Sequence, residues 1–342
     1  MRPAPNLPVV HADESDSTGE NLTDQQQLVY THAAIHIPDQ TAATLTHAVV
    51  RALPEGHGEP KYSALAKTAR GRALLLEVLD PASLAPGAVL VYVIHKRYMA
   101  VAKLVDLLIE EAAHASGVDL YEDQVVSRLA QLLYLIGSVP AYRHQFDLML
   151  DAFVGAARRR SRASVDDLFD AVDRLLQTVG PESRETFGLL LVCRPHAEDL
   201  VARVQAGELM DMLEPAVPAV VMLCHAWAAA LGPFRLVHDR SVAIERSLST
   251  FLSMHRLRDP AAPDRTMARF GARVVEFADS AWIPQLQLAD WVAGATRQWA
   301  HALLPGGTPD PFASRLDGII QPWLLGSIWP DRDAIVDSPS ML

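Results

Sequence analysis

Four carboxylates in this sequence stand where folding could gather them. Asp13 and Asp239 close the short apolar stretches LPVVHAD and FRLVHD, Glu59 lies in GHGEPKYS, and Asp290 sits inside the apolar run PQLQLADWVAG. Asp290 is the most demanding of the four, because an ionised carboxylate on an almost wholly apolar helix costs several kcal/mol unless it is paired, hydrogen-bonded or bound to a metal. Carboxylates collected from non-adjacent elements are the donor set that hard cations such as Mg²⁺ or Mn²⁺ take. Such ions can activate a water and stabilise the leaving oxygen of a phosphodiester. Lys61, two residues after Glu59, adds a cation for a phosphate or for the acidic cluster itself, and Gln287, one helical turn before Asp290, adds a hydrogen-bonding group behind it. Spacing alone leaves a plainer reading open, in which the strand-end aspartates cap turns and Glu59 pairs locally with Lys61.

The elements that must position these residues are legible as hydrophobic patterns. LPVVHADES, residues 27–37, VLVYVIH (89–95), FRLVHDRS (234–241) and VVEFADS (274–280) read as strands; residues 41–53, the stretch after Pro60 and the run from Pro284 read as helices. Between them, from Arg97 to about Ala230, apolar residues recur at helical spacing, as in Val101, Leu104, Val105, Leu108 and Ile109. The expected organisation is an α/β core in two parts, 1–96 and 233–303, split by a helical insertion over 97–232 and followed by an irregular tail over 304–342, where Pro, Gly and Asp are frequent.

With 342 residues, half of them hydrophobic, the chain can bury a sizeable core. A formal charge of −11 argues against coating nucleic acid by bulk electrostatics, so a polyanion must meet a local patch. ARRRSRAS (157–164) is the best such patch, and a solvated turn is its plainer reading. Cys193 and Cys224 lack metal or disulfide spacing, and no secretory leader is apparent, so a reducing cytoplasmic setting is expected. Residues 215–234 come nearest to a membrane span, but Pro218 and His225 interrupt them and a buried helix fits better; no membrane association is expected. Glu14 should point away from Asp13 on an extended strand and serve structure. His11 and His238 read as structural histidines, and the six tryptophans read as core residues before base-stacking ones.

In order, DES at 13–15, EPK at 59–61, HDRS at 238–241 and DS with QLQLADWVAG over 279–294 resemble the motifs of the domain of unknown function 3800 family. The resemblance covers roughly residues 8–300. It implies an RNase H-like mixed sheet flanked by helices, with a large helical insertion, and a metal-dependent nuclease activity. It also implies that Asp13, Glu59, Asp239 and Asp290 hold Mg²⁺ or Mn²⁺. Two departures stand out: the first motif runs DESDSTGE, with its glycine displaced to Gly19, and the DS is followed by Ala281 and Trp282 where a lysine is frequent.

The function expected on this basis is hydrolysis of DNA or RNA by metal-activated water, without a protein nucleophile, in a role such as bacterial defence. A catalytically inactive scaffold that holds a protein partner through its helical middle is the first alternative. A phosphoesterase for small nucleotides is the second.

Overall fold

The computed structural model describes residues 7–15, 22–24, 26–54, 59–120, 125–158, 164–209, 212–253, 258–259, 262–266, 270–305 and 310–330. It opens with β1 (Val9–Ser15), β2 (Val29–Ile35) and α1 (Asp39–Ala52). The single helix expected after Pro60 is two, α2 (Tyr62–Leu65) and α3 (Ala69–Val78), because the Thr68 hydroxyl accepts from the Gly71 amide and starts a new helix. β3 (Val89–His95) follows. Next come α4 (Lys96–Leu104), a π-helical stretch (Val105–Glu110), α5 (Glu111–Ala115), α6 (Val125–Gly137), α7 (Pro140–Ala156), α8 (Val165–Thr178), α9 (Pro181–Gly188) and α10 (Arg194–Ala206). The chain continues through α11 (Ala216–Leu231), β4 (Phe234–Asp239), α12 (Val242–Ser253), a hairpin of β5 (Arg258–Asp259) and β6 (Ala262–Thr266), and β7 (Ala272–Ala278). It closes with α13 (Pro284–Ala302), α14 (Pro311–Ile320) and β8 (Leu324–Ile328).

The chain forms two compact units. The first comprises residues 1–19, 29–94 and 215–327 and is α/β. Its six-stranded sheet has the order β7-β4-β1-β2-β3-β8, with β1 antiparallel to β2 and parallel to β4, and β4 parallel to β7. α13 packs across β1 and β2, with α1 and α14 against α13, while α11 lies against β2 and β4 and α12 against β7. Residues such as Val10, Ala33, Val91, Leu236, Leu286, Trp291 and Val292 fill this core. Thr31 on β2 donates to the Ala293 carbonyl, 2.8 Å away, which fixes the odd-numbered residues of β1 and β2 on the α13 face.

The second unit, residues 20–28, 95–214 and 328–342, is helical, as the apolar spacing predicts. Its core is pinned by the buried Arg97, whose Nε donates to Asp147 at 2.7 Å and whose other nitrogens reach Ser138 and the Gly137 carbonyl. The guanidinium also lies over the rings of Tyr134 and Phe146.

Two boundaries differ from expectation. Residues 216–231 form α11, which packs on the sheet, so the helical unit ends near residue 214 and not at 232. The tail is not irregular over 310–328: Asp310 accepts from the Phe312 amide, Pro311 sits in the first helical turn, and Leu316, Ile319 and Ile320 give α14 a buried face before β8 joins the sheet. The turn-forming residues of this region cap a helix. Residues 159–163, the middle of ARRRSRAS, lie outside the described residues. Among the described residues no helix is long and apolar enough to cross a membrane.

Candidate functional site

All four carboxylates singled out in the sequence belong to the sheet-bearing unit and converge at one edge of its α13 face. Asp13 comes from the end of β1, Asp239 is the last residue of the adjacent parallel strand β4, Asp290 stands in the second turn of α13, and Glu59 precedes α2. Parallel pairing of Ala12 with His238 puts Asp13 and Asp239 side by side on the same face.

Each carboxylate has a polar partner. Asp13 accepts from the Glu14 amide at 2.7 Å, and Asp290 accepts from the Tyr62 amide at 2.8 Å. Asp239 accepts from both the amide and the hydroxyl of Ser280, at 3.3 and 3.2 Å. The Lys61 ammonium lies 2.8 Å from Glu59, 3.9 Å from Asp239 and 2.7 Å from the Ser280 hydroxyl, to which it donates. Its ammonium thus faces two of the four carboxylates.

The electrostatics record that crowding. Burial first, and then the charges of Asp290 and Asp239, push the Asp13 carboxyl well above the usual carboxylate range. Burial likewise raises Asp290, against the pull of the Tyr62 amide and Lys61, while Glu59 and Asp239 add to the rise. Burial opposes the Lys61 ammonium, yet Glu59, Asp290 and Asp239 together hold its pKa above the ordinary value. A cluster of this many oxygen donors fits a hard divalent cation in kind. Asp13, Glu59, Asp239 and Asp290 would hold it. They do not form a closed cage, since the one group of three histidine, cysteine or acidic residues with all ligand atoms within 4.8 Å of one another, among the described residues, is Glu14, His32 and His238.

The Gln287 amide donates to the carbonyls of Ser280, at 3.0 Å, and Ala281, and so holds the turn that carries Ser280 against Asp239. Asp279 caps the same turn through the Ala281 amide. Ser280 is buried, accepts from Lys61 and donates to Asp239, and so links the two. Its signal was the motif order, DS directly before the Asp290 helix.

The rest of QLADWVAG serves the same edge. Trp291 donates through its indole to the Pro60 carbonyl at 2.6 Å, fixing the segment that bears Glu59 and Lys61. Gly294 lies against the Tyr62 ring so closely that a Cβ would stand 2.2 Å from Tyr62 Cγ. Of the tryptophans, Trp227, Trp291, Trp299 and Trp323 are core, whereas Trp282, two residues from Ser280, is 84 % exposed.

Comparison of the chain with protein-family models, curated proteins and solved structures gives no match.

Proposed function

We propose that the chain is a divalent-metal-dependent phosphodiesterase acting on nucleic acid, in which Asp13, Glu59, Asp239 and Asp290 hold Mg²⁺ or Mn²⁺. The observation that carries this reading is the meeting of a buried Asp13 with two further carboxylates contributed by a separate strand and a separate helix. Their mutual repulsion opposes folding unless a cation or a proton offsets it. The motif resemblance to the domain of unknown function 3800 family points the same way, and the mixed α/β sheet supports its RNase H-like fold.

A divalent cation bound there supplies an activated water and charge stabilisation at the leaving oxygen. The protein supplies the rest. The Tyr62 amide and the Ser280 amide and hydroxyl orient Asp290 and Asp239, so that little reorganisation remains when substrate arrives. Lys61, 41 % exposed at its side chain, offers its ammonium to a phosphate oxygen. Trp282 presents an open ring face beside the site on which a base can stack, a contact every base can make. The free, buried cysteines suit the reducing cytoplasm in which nucleic acid is met.

A second reading, a catalytically silent module that binds a protein partner, is favoured by Lys61. Its ammonium already bridges Glu59 and Ser280 and lies near Asp239, as in a charge cluster that is complete without metal. The helical unit would then carry the partner, around the exposed Leu132, Leu189 and Val192.

Labelled single- and double-stranded DNA and RNA, incubated with Mn²⁺, Mg²⁺ or EDTA, separate the two readings. Metal-dependent cleavage that disappears in Asp290→Asn supports the enzyme and names its substrate; cleavage of small nucleotides alone restricts it to a phosphoesterase. Silence with every metal and substrate leaves the binding module.

A further inference from the structure

The sheet face opposite the carboxylate cluster carries a second, unrelated constellation. Register pairs Glu14 on β1 with His32 on β2, and Ala12 with His238 on β4, so Glu14, Tyr30, His32 and His238 all project from that face. The Tyr30 hydroxyl lies 2.9 Å from Glu14 Oε2 and 3.0 Å from His32 Nδ1. His32 Nε2 lies 3.0 Å from His238 Nε2, and His238 Nδ1 lies 2.5 Å from the Asp239 carbonyl oxygen. Both imidazoles are buried, at 1 % and 0 % exposure.

A carbonyl only accepts, so His238 Nδ1 bears a hydrogen and the ring turns its Nε2 toward the Nε2 of His32. Two imidazole nitrogens thus face each other in a buried position with a carboxylate nearby.

We infer that Glu14, His32 and His238 form a binding site for a first-row transition-metal ion of the zinc type, which ties strands β1, β2 and β4 together behind the carboxylate cluster. With both Nε2 atoms on the ion, the hydrogen of His32 lies on Nδ1 and donates to Tyr30, Tyr30 donates to Glu14, and His238 Nδ1 donates to the Asp239 carbonyl. Every remaining contact then holds one proton. Those contacts are also the kind that orient ligating imidazoles, each ring giving its second N–H to an oxygen or to a group that relays to one. The 3.0 Å between the two Nε2 atoms lets both reach one ion through bonds of about 2.1 Å, and one ligand atom from each of Glu14, His32 and His238 lies within 4.8 Å of the other two. Two imidazoles and one carboxylate select zinc, iron(II), cobalt(II) or manganese(II) over magnesium. This inference is independent of the proposed phosphodiesterase activity, because it uses none of the cluster's four carboxylates.

The test uses the untagged full chain, stripped with a chelator, reloaded with Zn²⁺ in the presence of excess Mg²⁺ to occupy the hard-cation donors, desalted and assayed for zinc. About one equivalent is expected in the wild type and in Asp290→Asn, with loss in His32→Gln and in His238→Gln, and with a higher Tm for the loaded wild type. X-ray absorption at the zinc edge of the wild type, which needs no variant to fold, should show two imidazole ligands. A wild type that retains no zinc, an Asp290→Asn chain that loses it, or an edge spectrum without imidazole overturns the site.

Discussion

The indole of Trp291 donates to the carbonyl of Pro60 at 2.6 Å, and on the residues beside them the Tyr62 amide donates to Asp290. Two adjacent residues of α13 thus clamp the segment that bears Glu59 and Lys61. Trp291→Phe keeps most of the buried ring and leaves the Pro60 carbonyl without that donor, which should cost about 1–3 kcal/mol in denaturant unfolding. It should also lower phosphodiester cleavage by releasing Glu59 and Lys61; unchanged stability would show that the clamp is dispensable.

Gly294→Ala asks whether the same segment tolerates a methyl group. Its Cβ would stand 2.2 Å from Tyr62 Cγ, in a core where overpacking typically costs about 1–3 kcal/mol. Moving Tyr62 draws its amide from Asp290, so activity should fall further than stability alone requires. Cleavage rates measured well below the variant's Tm distinguish the two effects.

Trp282→Ala should leave Tm almost unchanged, since the ring is 84 % exposed. Affinity for single-stranded substrate should drop by about 1–3 kcal/mol, as when one stacking platform is removed. Fluorescence polarisation with a labelled oligonucleotide reads this directly, and equal binding by both proteins would remove Trp282 from the interface.

Within the helical unit, Arg97 is the residue whose loss should be felt most. Its fork satisfies Asp147, Ser138 and the Gly137 carbonyl at once, so Arg97→Met removes three hydrogen bonds, leaves Asp147 to the more distant Arg143 at 3.7 Å, and should cost about 1–3 kcal/mol. Arg97→Lys should recover only a part, because a single ammonium cannot replace the planar fork. Chemical denaturation of the two variants orders them.

Acid should weaken that unit through His95. Burial first, and repulsion from Arg97 second, lower its pKa to about 4, while Nδ1 accepts from the Tyr98 amide at the start of α4. The folded state keeps the ring neutral where the unfolded chain protonates it. Its contribution is therefore whole above the unfolded value near 6.5 and is lost as pH falls from there to about 4, by an amount on the order of 3 kcal/mol. Urea midpoints across that window should fall for the wild type and fall less for His95→Gln.

How much of this was legible beforehand differs from residue to residue. Asp13 and Asp239 announce themselves because each closes a short apolar strand, and Asp290 because its helix offers it nothing polar; their convergence required only the parallel pairing of β1 with β4. The contacts of Ser280 with Asp239 and Lys61 depend on the turn that the Gln287 amide holds through backbone carbonyls, which no side-chain spacing announces. Tyr30 and His32 were passed over because QLVYTHAAIHI reads as a strand before it reads as a strand with a polar face, and only register shows that His32 meets His238. The terminal region misled because Asp310 and Pro311, which in isolation signal a turn, are also the cap and first turn of a helix.

The sheet has a temporal consequence. Glu59 and Asp290 are separated by roughly 230 residues, which a ribosome adding 5–20 residues per second takes on the order of ten to fifty seconds to make. Through that interval the nascent chain holds Asp13 and Glu59 but neither Tyr62's carboxylate partner nor the indole that fixes Pro60. A polypeptide released before residue 290 therefore has neither of the two contacts that hold the Glu59 segment in the full chain.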